Sequence, residues 1–140
     1  MPAADPILVV ENIVKRFETQ DGVLLAVDDV SFNVVPGEFL SVIGPSGCGK
    51  STLFNVIGGL LGGYDGRVSV AGETVRGPHA SIGMIFQEES TFPWRTVIDN
   101  VAFPLGIAGM AKAERLERAR HFVDLVGLDG FERRYPSELS

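Results

Sequence analysis

The chain has 140 residues, 45% of them hydrophobic and 21% charged, which suits one globular domain with a buried core. Its 18 Asp and Glu outweigh 12 Lys and Arg for a net charge of −6, which weighs against an electrostatic grip on nucleic acid. A lone cysteine, Cys48, leaves no internal disulfide and suits a reducing compartment, and no apolar run approaches the roughly 20 residues of a membrane helix.

In chain order, residues 7–17 and 24–34 are β-rich runs, and the polar Glu18-Thr19-Gln20-Asp21-Gly22 between them predicts an antiparallel hairpin with a loose loop. The start carries acids at Asp5 and Glu11 and no basic residue before Lys15, so it is not expected to be a secretory signal. After a Pro36-Gly37 turn, the apolar run 39–43 reads as a buried strand of an α/β sheet. Leu53, Val56, Ile57 and Leu60 then fall at helical spacing, and Gly58-Gly59 and Gly62-Gly63 stop that helix. Residues 67–70 and 73–75 predict a second hairpin about Ala71-Gly72, and 82–86 a further buried strand.

Beyond residue 95 helices replace strands. Thr96 with Asp99 has the spacing of a capping box for a short helix that Pro104 is expected to end. Residues 111–126 predict an amphipathic helix with Leu116, Ala119, Val123 and Val126 on its buried face and Gly127 as its stop. Glu114 and Arg118 form a solvated i,i+4 pair on that helix; neither His79 nor His121 is assigned a ligand role.

Between the apolar run 39–43 and the first helix lies Gly44-Pro45-Ser46-Gly47-Cys48-Gly49-Lys50-Ser51, followed by Thr52, which fits the P-loop pattern G-x-x-x-x-G-K-[ST]. Glycines let the backbone turn several N–H groups inward, and the helix that follows aims its positive dipole end at the same point. Phosphates are therefore the expected ligand, with Lys50 reaching the β- and γ-phosphates and Ser51 holding Mg²⁺. Gln87 closes the run Ile82-Gly83-Met84-Ile85-Phe86; a neutral amide there can coordinate Mg²⁺ and orient a water without repelling phosphate. Taken alone, Gln87 reads better as a surface glutamine on a loop, and Phe17 equally well as a core strand residue.

Together, Phe17 in VKRF, GPSGCGKST (44–52), IFQE (85–88) and SELS (137–140) give a chain that resembles the ATP-binding subunits of ABC transporters over its whole length. The resemblance implies an α/β fold: an incomplete P-loop NTPase core with an N-terminal antiparallel β subdomain and the start of a helical subdomain. It divides the chain into 1–95 and 96–140. It implies ATP and Mg²⁺ as ligands, with Phe17 stacking on adenine and Gly44, Pro45, Ser46, Gly47, Cys48, Gly49, Lys50, Ser51 and Thr52 around the phosphates. Ser51 and Gln87 are then the metal ligands, and Lys50 and Gln87 the catalytic groups.

Val75-Arg76-Gly77-Pro78 and the stretch from Pro93-Trp94-Arg95 to Val101 look like importers of nitrate, sulfonates, taurine and related small oxyanions. The implied partners are a transmembrane permease, met through the Gln87 loop and Trp94, and a second ATP-binding subunit. The implied location is cytoplasmic, on the inner face of the membrane. Leu139-Ser140 stand where the family's LSGGQ signature begins. The later Walker B Asp, its neighbouring Glu and the switch His have no counterpart, so ATP binding without turnover is expected of these 140 residues. Two other readings stay open: a naturally truncated nucleotide-binding module without turnover, or pseudogene product, and a small-molecule P-loop kinase, which the N-terminal hairpin and SELS disfavour.

Overall fold

The computed structural model describes residues 5–87 and 90–139, and two compact units, Met1–Ile85 and Phe86–Ser140, divide the chain. Within the second unit Asn100 accepts from the Phe92 N–H at 2.8 Å and donates to the Phe92, Arg95 and Thr96 carbonyls at 3.0–3.1 Å, fastening residues 92–96 to the helix that follows.

The first unit is built on one four-stranded antiparallel sheet in the order β2-β1-β3-β4, with β1 Leu8–Thr19, β2 Gly22–Val34, β3 Asp65–Val70 and β4 Glu73–Thr74. The β1–β2 turn is tighter than the loose loop expected, because Thr19 pairs directly with Gly22 and its hydroxyl donates to the Gly22 carbonyl at 2.8 Å. Ala71-Gly72 make the β3–β4 turn, both at positive φ as a tight hairpin requires. Helix α1 (Lys50–Ile57) ends at Gly58 and lays Leu53 and Val56 on Val10, Ile13, Val27, Val68, Val70 and Val75.

Strand β1 is central, pairing with β2 on one side and β3 on the other, and it carries an irregularity that alternation does not reveal. Asn12 adopts φ +49°, its N–H donates to Ser31 Oγ at 2.7 Å, and its side chain reaches Asp29 at 2.9 Å. The register slips there on both sides, as a bulge demands. Gly66 lies against the bulge at φ +97°, and a Cβ on it would collide with the Glu11 and Asn12 carbonyl oxygens.

Beyond the bulge, Ile13, Lys15 and Phe17 share a face, so a lysine enters the core side. Lys15 is 8% exposed, and its ammonium donates to the Gly62 and Gly63 carbonyls at 2.8 and 2.9 Å. A buried ammonium needs such acceptors. The cross-strand pairs Arg16–Asp65 and Glu11–Arg67, both 2.9 Å, lie in solvent and contribute about 0–1 kcal/mol each.

Two expected strands are not formed. Neither 39–43 nor 82–86 has a strand partner among the described residues, and Phe39, Ile43 and Ile85 are almost fully exposed. Apolar content states a demand for burial without supplying the neighbour, and every strand pairing among the described residues belongs to the antiparallel sheet.

In the second unit α2 (Val97–Ile107) packs on α3 (Lys112–Leu125), burying Val97, Ala102, Ala119 and Val123. Thr96 caps α2, accepting from the Asp99 N–H at 3.3 Å, while the Val97 and Ile98 N–H groups reach the Arg134 and Glu132 carbonyls at 2.8 and 3.0 Å. The helix runs through Pro104 instead of ending there. Pro104 withholds its own N–H, yet its carbonyl accepts from Ala108 at 3.0 Å, and the packing of Ala102 holds the turn. Gly127, at φ +74°, stops α3 as expected, but Val126 is exposed and lies off the buried face. The Glu114–Arg118 pair forms at 3.0 Å in solvent.

Gly66→Ala combines left-handed strain with a backbone collision and should lower unfolding free energy by about 2 kcal/mol or more. A denaturant midpoint within error of the parent chain would mean the bulge is not the fixed feature described.

Candidate functional site

The loop 44–50 connects the exposed run 39–43 to α1, and its shape is set by what β2 allows. Gly49 is the residue before α1, at φ +94°, and a Cβ there would collide with the carbonyl oxygen of Ala26 in β2. Only glycine tolerates both conditions. The Cys48 N–H donates to the Pro45 carbonyl at 3.4 Å, and the Leu53 N–H closes the first helical bond to Gly49 at 2.9 Å. Among the described residues no side chain caps the N-terminus of α1 and no acid stands in its first turn, so the positive end of its dipole is not neutralised by them.

The Lys50 ammonium folds back over this loop, donating to the Gly44 carbonyl at 2.8 Å and the Pro45 carbonyl at 2.7 Å, with Cys48 Sγ at 3.6 Å. The loop therefore presents a cation held by neutral acceptors beside an uncapped helix end. Ser46, Gly47 and Cys48 are exposed; Ser51 is exposed at the start of α1, and Thr52 beside it is half-buried. A concavity of about 450 Å³ opens between β2 and the loop, lined by Leu25, Val27, Ile43, Cys48 and Lys50 among others.

Phe17 lies on β1, half-buried and paired with Leu24, and the Lys15 ammonium lies 4.9 Å from its ring centroid. Sequence reasoning passed over Lys15. Its position two residues after Ile13 and two before Phe17 was the available signal, hidden by the bulge at Asn12.

Gln87 belongs to the second unit and is exposed, while Glu88 lies outside the described residues. Trp94 is 72% exposed, its ring tilted against that of Phe92 with centroids 5.6 Å apart, so it is not a core aromatic. The end of the SELS stretch, Ser140, lies outside the described residues. Before it, Pro136–Glu138 form a 3-10 turn in which the Glu138 carboxylate accepts the Tyr135 N–H at 2.7 Å and pairs with Arg134 at 3.1 Å. The Tyr135 N–H, then Arg134, holds the Glu138 carboxyl below its ordinary pKa. Among the described residues no cluster of His, Cys, Asp and Glu could hold a metal, and no helix is long and apolar enough to cross a membrane.

Because Cys48 is exposed on the loop, a thiol reagent should label the folded chain at this single site, and ATP should slow the reaction several-fold. Stopped labelling kinetics with and without saturating ATP check this. A rate indifferent to nucleotide would place the thiol outside the anion cradle.

Comparison with known proteins shows the family. The family model for ABC transporters matches residues 27–140. An uncharacterised ABC transporter ATP-binding protein of Methanocaldococcus jannaschii is 47% identical over 133 residues, 95% of this chain and 50% of its own length. The taurine import ATP-binding protein TauB of Escherichia coli is 48% identical over 115 residues, 82% of this chain and 45% of its own. The chain thus spans about half the length of the curated relatives it matches. Among solved structures, the ATP-binding cassette MJ0796, a dimer bound to ADP and phosphate in a post-hydrolysis state, superposes with a TM-score of 0.85. It is 29% identical and covers 95% of this chain and 63% of its own. The antiparallel sheet followed by helices is therefore a partial P-loop NTPase fold of that type, and the chain belongs to the ABC transporter family, matching its ATP-binding proteins.

Proposed function

We propose that the chain is the nucleotide-binding part of an ATP-driven importer of a small oxyanion such as taurine, another sulfonate or nitrate. The observation that carries the ATP reading is the loop 44–50: an uncapped helix end, glycines that bring the backbone close, and one lysine ammonium. Family membership implies binding of ATP and Mg²⁺, and the donors of the loop fit the phosphates. On binding, Lys50 would exchange two neutral carbonyl acceptors for anionic phosphate oxygens, and charge-assisted hydrogen bonds are roughly twice as strong as neutral ones. The backbone N–H groups from Gly47 to Ser51 would orient the phosphate chain, and Gly44, Pro45, Ser46, Cys48 and Thr52 would shape the loop around it. Mg²⁺ would supply neutralisation of phosphate charge; Ser51 is the ligand proposed from the loop, and Gln87 is proposed as a ligand from the family resemblance alone. Phe17 would offer adenine an aromatic face, beside the ammonium of Lys15.

The importer reading rests on the 48% identity to a taurine import protein and on the exposed Trp94. An exposed aromatic braced by Phe92 suits an anchor at a permease surface, and a second ATP-binding subunit is the partner suggested by the dimeric cassette. The location proposed is the cytoplasmic face of the membrane, through the permease. The family's Walker B Asp and its neighbouring Glu are matched to no residue of this sequence, so the chain is proposed to bind ATP without turning it over. The reading as a non-hydrolysing module shares that binding chemistry.

Lys50→Ala should weaken ATP binding by tenfold or more, by about 1.4 kcal/mol per factor of ten, and Lys50→Arg should not restore it, because a planar fork replaces a point charge. A titration with fluorescent nucleotide checks both, and parent affinity in Lys50→Ala would overturn the ATP reading. Phosphate release by the parent chain should equal that of Lys50→Ala, and clear excess would restore turnover to these residues. Mg-ATP should alter Trp94 emission, and Gln87→Ala should blunt the change while leaving most affinity; unchanged emission in the parent chain would remove the coupling.

A further inference from the structure

The second unit holds a concavity of about 330 Å³ between α2 and α3 that takes no residue from the loop 44–52 and does not include Gln87. Three cationic side chains line it, Arg95, Lys112 and Arg115, against one carboxylate, Asp99. In a chain of net charge −6 this is a local inversion of sign. The single acid is already engaged, its carboxylate accepting from the Thr96 hydroxyl at 2.8 Å at the head of α2.

Both guanidinium groups are mounted by means other than ion pairs. Arg95 lies 4.6 Å from the Phe103 ring centroid and 5.1 Å from that of Phe92, which fixes its plane while leaving its N–H donors unspent on those rings. Arg115 lies across the bare backbone of Gly106: an ideal Cβ on that glycine would come within 2.5 Å of Nη1. Gly106 sits inside α2 with no positive φ, so the helix does not require glycine there; alanine would be favoured by about 1 kcal/mol on propensity. The space it leaves is occupied by a guanidinium. The ion pairs among the described residues include neither Arg115 nor Lys112.

Ala102, Phe103, Ile107 and Leu116 supply the apolar remainder of the wall. The volume exceeds what a bare phosphate or sulfate fills, so the walls match an anionic head on a short apolar tail. We infer that this pocket is a binding site for a small amphipathic oxyanion, an alkanesulfonate or an alkyl phosphate. Arg95, Lys112 and Arg115 take the head, and Phe103, Ile107 and Leu116 take the tail. Bidentate guanidinium donors suit either head.

The test is calorimetric titration of the whole chain with 1-butanesulfonate, butyl phosphate and inorganic sulfate. Both amphipathic anions should bind, and sulfate should bind at least several-fold more weakly for want of a tail. Arg115→Gln should weaken butanesulfonate roughly tenfold, as loss of a charge-assisted contact does. Gly106→Ala should weaken it several-fold while keeping every charge and raising thermal stability, because it displaces the Arg115 head group. Lys50→Ala should leave butanesulfonate binding intact, which separates this site from the phosphate cradle. No heat from either amphipathic anion would overturn the inference. So would affinities that Arg115→Gln and Gly106→Ala leave unchanged, or that Lys50→Ala abolishes.

Discussion

One close approach determines the geometry of the loop 44–50: Gly49 against the Ala26 carbonyl of β2. It joins the loop to the sheet with no side chain between them. From there α1 starts at Lys50 and drops Leu53 and Val56 into the core made by Val10, Ile13, Val27 and Val68. A larger residue at position 49 would lift the helix start off the sheet and break the packing and the cradle together. The loop's chemistry and the unit's hydrophobic core are therefore fixed by the same contact.

Within that frame the change of partners proposed on binding falls to Lys50. Its ammonium rests on the Gly44 and Pro45 carbonyls, close enough to Cys48 that loop, lysine and thiol form one cluster. Neutral carbonyls satisfy a cation without cancelling its charge, so the cluster stays electropositive at the end of an uncapped helix. A salt bridge in the same place would have cancelled that field. The second unit follows a related logic at Arg95, where aromatic rings rather than carboxylates position a guanidinium.

The parts legible in sequence are those whose cause is local. Eight consecutive residues specify the cradle, two residues specify the Ala71-Gly72 turn, and Thr96 and Gly127 mark helix ends by their own chemistry. The parts that escaped depend on partners far along the chain. Lys15 is buried because Gly62 and Gly63, nearly fifty residues on, offer it carbonyls, and because Asn12 shifts the alternation of β1. Residues 39–43 and 82–86 read as buried strands on apolarity alone, yet a strand exists only with a neighbour, and none of the described residues supplies one. Pro104 failed as a stop because packing of the turn around it outweighs one missing N–H. The roles of Phe17 and Gln87 came from resemblance, since neither residue alone distinguishes a site from an ordinary strand or loop position.

The central claim, that backbone N–H groups of the loop receive the phosphates, is tested most directly by amide hydrogen exchange at residues 46–51 with and without Mg-ATP. The account predicts marked slowing across Gly47–Ser51, largest at Gly49 and Lys50, with little change in the β3–β4 hairpin. Exchange at 46–51 that is unaltered by saturating nucleotide would contradict it.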